Sequence, residues 1–326
     1  MANTPYVPNL TRPHWGGPNS DADIHLEVFD GALDSAFQYN AFFRANSTFI
    51  STADRSNTAR IDRLGTVTIK GRKSGEALEP EAVKNDKLVI TVDTVTYART
   101  PIDYQDDWTA PDFLPQIGKN HGTEHAKLFD QAHIIQLIKS RKWLAPAHLK
   151  PAFYDGLEKT AALVVGDKAA TADNIVDAHS EIVEELIRRD LGGSLSEFIT
   201  LVDPTTFGIL LEHEKLVNVD YSSGNANFAM RRVAYINGTR IVETPRFPTA
   251  AISDHVLGDA FNVDAQDVAC KMVVYHPNMS LVTVEAKAHT VRMWDDELNF
   301  ANVLDSYAMY TVGQRRPDTV GVVRMT

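Results

Sequence analysis

Cysteine occurs once in 326 residues, at Cys270. That excludes an internal disulfide and fits a reducing compartment. The thiol sits among Val268, Ala269, Met272 and Val273, a setting for a buried, inert side chain rather than a nucleophile. No apolar run reaches the roughly eighteen residues of a transmembrane helix. Met1-Ala2-Asn3-Thr4-Pro5 is not a basic region leading into an apolar run, so no secretory signal is expected, and Asn-x-Ser/Thr at Asn9, Asn46, Asn237 and Asn278 reads as chance. Basic charge is in deficit: 32 Lys and Arg stand against 43 Asp and Glu, a formal net charge of -11. A general nucleic-acid binder would show a basic face, which this balance argues against only weakly, since a local basic patch remains open.

Catalytic signatures are also missing. Gly71-Arg72-Lys73-Ser74-Gly75 has the letters of a phosphate loop but not its spacing, and reads as a solvated basic turn. Gly193-Ser194-Leu195-Ser196 is not a nucleophile elbow. His121 and His125 stand four apart, a spacing that can hold a metal from one helical turn; Glu124 is misplaced for a zinc protease, so ordinary polar contacts at a helix entry are expected. Asp295-Asp296-Glu297 reads as a charged turn or helix start, and Met272, Met279 and Met293 as core. No catalytic residue, cofactor site or metal site is assigned.

What is present is an ordinary globular balance, 44% hydrophobic and 23% charged. Residues 1–20, rich in Pro, Asn and Gly, read as an extended arm. Leu26, Phe29, Leu33 and Phe37 then share a helical face. From Ser47 to Lys87 apolar residues thin out and short β-like pieces such as Thr66-Val67-Thr68-Ile69 appear between glycines. So sparse a segment cannot form its own core, and a projecting hairpin ordered by something outside it is expected. Leu88 to Tyr97 reads as one strand with a shift in apolar phase, suggesting a bulge or a strand that changes faces.

A long helix is expected from Thr123 to Arg141, burying Leu128, Ala132, Ile135 and Ile138. A second runs from Thr171 to Asp190, burying Ile175, His179, Ile182, Leu186 and Ile187 and ended by Gly192-Gly193. Phe198 to Val202 is a strand, followed by a helix with Asp203 as N-cap and Pro204 at its first position. Arg240 to Glu243, Lys271 to Tyr275, Leu281 to Glu285 and Thr319 to Arg324 read as strands, and Phe300 to Tyr307 as a helix.

Four segments in this order resemble the major capsid proteins of tailed bacteriophages. They are Val28-Phe29-Asp30-Gly31-Ala32-Leu33 with Ala36-Phe37; Val202-Asp203-Pro204 and its helix through Leu211; Ile236-Asn237-Gly238-Thr239-Arg240-Ile241-Val242-Glu243-Thr244-Pro245; and Tyr307-Ala308-Met309-Tyr310 through Gly313, Arg315, Arg316 and Pro317. The likeness covers the chain from about Ile24 onward and is nearest to T-seven-like short-tailed phages; Tyr310 departs from it, standing where glycine is common.

The resemblance implies an α+β chain with the capsid-shell fold of tailed phages and herpesviruses, the HK-ninety-seven type. It implies an N-terminal arm and helix at 1–46 and an extended β-hairpin loop at 47–87. A peripheral domain with a long spine helix follows at 88–165, then an axial domain at 166–289 and a return to the peripheral domain at 290–326. It further implies self-assembly into hexamers and pentamers of an icosahedral shell around double-stranded DNA, held without sequence specificity and without a membrane. The implied partners are a portal protein and, since the short arm leaves no room for a fused scaffold, a separate scaffolding protein; a decoration protein is left open. The implied location is the virion, after synthesis in the host bacterial cytoplasm. Two alternatives stay open: an encapsulin-type compartment shell and an unrecognised α/β enzyme.

Charge is unevenly spread. Arg55, Arg60, Arg63, Lys70, Arg72 and Lys73 face only Asp62 within their stretch, whereas Asp93, Asp103, Asp106, Asp107 and Asp112 face only Arg99 in theirs. By resemblance the first group lies in the extended loop. The second, through Asp103, Asp106, Asp107 and Asp112, lies near the surface that a neighbour's loop crosses. Opposite charges there would steer docking. The alternative is that the loop is basic only to stay soluble.

Overall fold

The structure is a computed structural model that describes residues 33, 37, 41–52, 56–105, 113–150, 152–191, 193, 195–217, 226–227 and 231–326. The strands are β1 (Thr48–Ser51), β2 (Thr58–Leu64), β3 (Asn85–Thr91), β4 (Val95–Asp103), β5 (Leu157–Ala161), β6 (Ile199–Val202), β7 (Ala226–Asn227), β8 (Arg232–Val233), β9 (Tyr235–Ile236), β10 (Thr239–Glu243), β11 (Cys270–Tyr275), β12 (Leu281–Asp296), β13 (Ala301–Gln314) and β14 (Gly321–Met325). The helices are α1 (Phe113–Lys139), α2 (Lys168–Arg188), α3 (Pro204–Leu210), α4 (Glu214–Val217) and α5 (Ala265–Val268).

Two sheets carry the molecule. The six-stranded sheet has the order β5-β14-β11-β6-β10-β9. Its central strands are apolar at successive positions because both faces are covered. Leu201, Val273, Tyr275 and Val322 pack with Ile134, Ile135 and Ile138 of α1. Val202, Met272, Val274 and Val323 pack with Ile175, Ile182 and Leu186 of α2. The approach of α2 is close enough that a Cβ at Gly321 would overlap Ile182. The four-stranded sheet, β1-β12-β13-β4, is built on the long antiparallel hairpin β12–β13. Along α1, every residue from Ala132 to Ile138 is buried, since the helix is wedged among several neighbours.

Local signals end the elements where the chemistry requires. The Asp203 side chain accepts the N–H of Thr205 at the start of α3, with Pro204 in the first turn. Asn237 and Gly238, at φ 46 and 83, make the two-residue turn between β9 and β10. Helix α2 stops in a Schellman arrangement: Leu191 N–H donates to the Leu186 carbonyl and Asp190 N–H to Ile187, with Asp190 at φ 56. The expected stop at Gly192-Gly193 is thus corrected. Asp190 takes the left-handed position before those glycines are reached.

Other expectations are corrected too. Phe300 to Tyr307 is not a helix. Phe300 has φ 53, and β13 then pairs with β12 on one side and β4 on the other, which overrides the helical spacing of its apolar residues. Leu88 to Tyr97 is not one strand. β3 pairs with β2 and β4 with β13, so the phase shift marks a change of sheet rather than a bulge. Helix α1 begins ten residues before Thr123, and Leu128 is only half-buried on it. Ile187 is 49% exposed and leaves the α2 stripe. Met279 is exposed. In the 47–87 segment, β1 joins the four-stranded sheet, and only β2 and β3 form the hairpin. That hairpin's base does have a core, made by Ala59 and Ile90 with Val282 and Val284. Thr66 to Ile69 form no strand.

Candidate assembly surfaces

Beyond the paired part of the hairpin, residues 65–84 form a long loop closed by Gly65 N–H donating to Lys84 O at 2.8 Å. Its apolar side chains are exposed among the described residues. Ile69 is 96% exposed and Leu78 78%. Lys70 pairs with Glu79 across the loop at 3.3 Å, and the Lys73 N–H is held by Glu76 at 3.0 Å around a turn where Gly75 sits at φ 95. The returning limb therefore offsets part of the basic charge read from the outgoing one.

The structure separates the basic residues. Lys70, Arg72 and Lys73 are exposed near the loop tip. Arg60 is exposed and pairs with Asp62 at 2.8 Å. Arg63 is turned inward and 8% exposed; its Nη2 donates to the carbonyls of Gln314 and Arg315 at 2.9 and 3.0 Å. Burial lowers its pKa. Arg55 lies outside the described residues, as do Asp106, Asp107 and Asp112. Asp103 is exposed at the end of β4. Register places Asp103 beside Ala301 and Ala301 beside Asp296, so Asp103 joins Asp295, Asp296 and Glu297 at one end of the four-stranded sheet. Asp295-Asp296-Glu297 is not the expected charged turn or helix start: Asp295 and Asp296 end strand β12 and only Glu297 opens the turn, and nothing local in the sequence joins them to Asp103. Arg99 is drawn away from this acidic set by a two-point bond to Asp305, at 2.6 and 2.9 Å.

The His121/His125 pair lies along α1, where Ser306 Oγ meets His121 Nδ1 at 3.0 Å and His125 Nε2 at 3.1 Å. Burial pulls the pKa of His125 down to about 4. Among the described residues no group of three metal-ligating side chains converges. Burial pushes the Cys270 thiol up to about 12, so it is not a nucleophile at neutral pH.

A helix-backed sheet, a long edge hairpin and an exposed loop without a core of its own define a shell-forming subunit whose surfaces expect other copies. No protein-family model matches the chain, and no curated protein matches it. Solved structures do. A chain of the bacteriophage PhiM1 mature capsid is 62% identical over 100% of this chain and 99% of its own, with a TM-score of 0.82. The capsid of cyanophage P-SCSP1u is 17% identical over 88% of each chain, with a TM-score of 0.72. A virus-like particle from Pyrococcus furiosus is 10% identical over 92% of this chain and 99% of its own, with a TM-score of 0.55. The last two likenesses show the fold alone. The first shows the family: the chain belongs to the bacteriophage capsid proteins. At that identity the compartment-shell alternative is not favoured.

Proposed function

We propose that this chain is the major head protein that closes into an icosahedral shell of hexamers and pentamers around double-stranded DNA. The observation that supports this most is whole-chain identity to a mature phage capsid subunit. The uncovered apolar residues of the 65–84 loop fit the same reading. In it, 47–87 is the extended loop, 1–46 the arm, 88–165 with 290–326 the peripheral domain with α1 as spine, and 166–289 the axial domain.

Assembly uses a separate scaffolding protein and a portal, without cleavage of this chain, as in T-seven-like phages. The exposed Lys70, Arg72 and Lys73 steer the loop toward acidic surface around Asp103 on a neighbour. Charges of this kind set register and encounter rate more than affinity, each exposed pair being worth about 0.2–1 kcal/mol. The test is coexpression with the scaffold of Arg72→Glu/Lys73→Glu, alone and with Asp103→Lys. The first should assemble poorly and the second recover in part; normal assembly of the first removes charge steering and leaves the capsid reading standing.

A further inference from the structure

Arg63 is a buried cation with no anion in direct contact among the described residues; Asp86, opposite it across the hairpin, and Asp318 act on it only at longer range. It makes no ion pair among the described residues, its Nε has no hydrogen-bond partner, and its bonds go to two neutral carbonyls. The guanidinium lies 5.7 Å from the ring centroid of Trp143 and 5.9 Å from that of Phe153, so its faces are covered by aromatic rings. A desolvated charge is costly unless it is paired. Here it lines a cavity of about 380 Å³ at the base of the hairpin. Two more arginines line the same cavity. Arg315 is exposed, without an ion pair among the described residues, and bonded to the Asn278 carbonyl at 3.2 Å. Arg316 is paired with Asp318 and stacked on Phe153 at 5.0 Å. The one acid among the described residues of the cavity wall, Asp62, is engaged by Arg60. This is the donor set of an oxyanion site, with guanidinium groups suited to a carboxylate.

A complementary group lies at the far end of the same molecule. Arg315 follows the last residue of β13, whereas the β12–β13 turn precedes its first. Fourteen residues of strand at roughly 3.3 Å each separate them by about 45 Å. At that turn Glu297 is exposed and free of hydrogen bonds and ion pairs among the described residues, and Leu298 and Phe300 beside it are each 55% exposed. A carboxylate flanked by apolar groups matches a cavity of arginines walled by Ile61, Leu64 and Phe153.

We propose that the arginine cavity at the hairpin base is a carboxylate site filled by Glu297 from the β12–β13 turn of a second copy of this chain. The turn cannot reach its own cavity, so the two can meet only between molecules. Because the two patches differ and sit at opposite ends of one sheet, the contact can repeat head-to-tail, a geometry that closes into rings when the rotation permits. The proposal rests on the capsid reading and gives one of its contacts a location.

The test uses the full chain coexpressed with its scaffold. Glu297→Cys combined with Leu64→Cys, in shells treated with a mild oxidant, should give a ladder of covalent oligomers absent from either single variant; the buried Cys270 does not interfere. Glu297→Lys, at an exposed position the fold does not depend on, should lower shell yield about tenfold or more, and Glu297→Asp should not. Shells of the double variant without a ladder, or Glu297→Lys shells at normal yield, overturn the proposal. So does a density map of the shell in which only phosphate occupies the cavity. Shells from the unmodified chain keep the capsid reading intact in each of those cases.

Discussion

Asp130 accepts the backbone N–H of Phe43 at 3.1 Å, and with its other oxygen that of Phe42 at 3.0 Å. One buried carboxylate midway along α1 thereby ties down the short 3-10 turn that precedes β1. Phe43 in turn stacks on His133 at 4.7 Å between ring centroids. Burial raises the Asp130 pKa to about 6, against the opposing pull of those two N–H groups. Asp130→Ala should destabilise the subunit by about 1–3 kcal/mol, because two buried N–H donors lose their acceptor. Asp130→Asn should cost less, since one acceptor oxygen remains. Denaturant unfolding of the dissociated subunit measures both.

Acid should destabilise the subunit, for a reason with a definite sign. Burial holds His125 and His179 down to about 4 and His133 and His289 down to about 3. A depressed histidine contributes stability that is full above the unfolded value near 6.5 and lost as pH falls toward the folded value. Asp130 and Asp318 act in the opposite sense, their folded pKa values being raised by burial. Burial lowers His121 and His255 as well, so the histidines that take up protons on unfolding outnumber the two carboxyls that release them. Stability of the dissociated subunit should therefore fall between about pH 6.5 and 4. A stability that stays flat or rises over that window contradicts the packing described for these histidines.

Arg141 should be costly to remove. It is 4% exposed and bridges Glu158 at 2.7 Å and Asp267 at 2.8 Å, joining the end of α1 to β5 and α5. Arg141→Ala leaves Asp267, itself 3% exposed, with Lys142 as its remaining cation. A loss of about 3 kcal/mol or more is expected from chemical denaturation. Lys150→Ala, at an exposed pair with Asp155, should cost less than about 1 kcal/mol.

The 65–84 loop should be dispensable for folding and required for assembly. Its ends already meet through Gly65 and Lys84. Replacing residues 66–83 by two glycines should change subunit stability by no more than about 1 kcal/mol. The same variant should give no shells on coexpression with the scaffold. Sedimentation separates these outcomes, and normal shells from the shortened chain would remove the loop from the account.

How much of this was visible in the sequence follows from how local each signal is. The α2 stripe, the Asp203-Pro204 helix start and strand β11 depend on neighbours a few residues apart, and spacing alone reveals them. β13 did not declare itself because Phe300, Val303, Leu304 and Tyr307 also satisfy a helical period. Only its partners on two sides, drawn from 95–103 and 281–296, decide the matter. Arg63 looked like one of a row of loop cations, because the carbonyls that bury it belong to Gln314 and Arg315. The union of Asp103 with Glu297 is equally non-local. Charge counted along the chain grouped residues that the structure divides, since Arg63 is buried and Asp103 stands beside the end of β12.

The most direct measurement is electron microscopy of particles purified after coexpression of this chain with its scaffold. The account predicts closed shells whose reconstruction shows rings of six and five copies, with the 65–84 loop of each copy lying against a neighbour. A uniformly monomeric protein under those conditions, with that loop folded onto its own subunit, would contradict it.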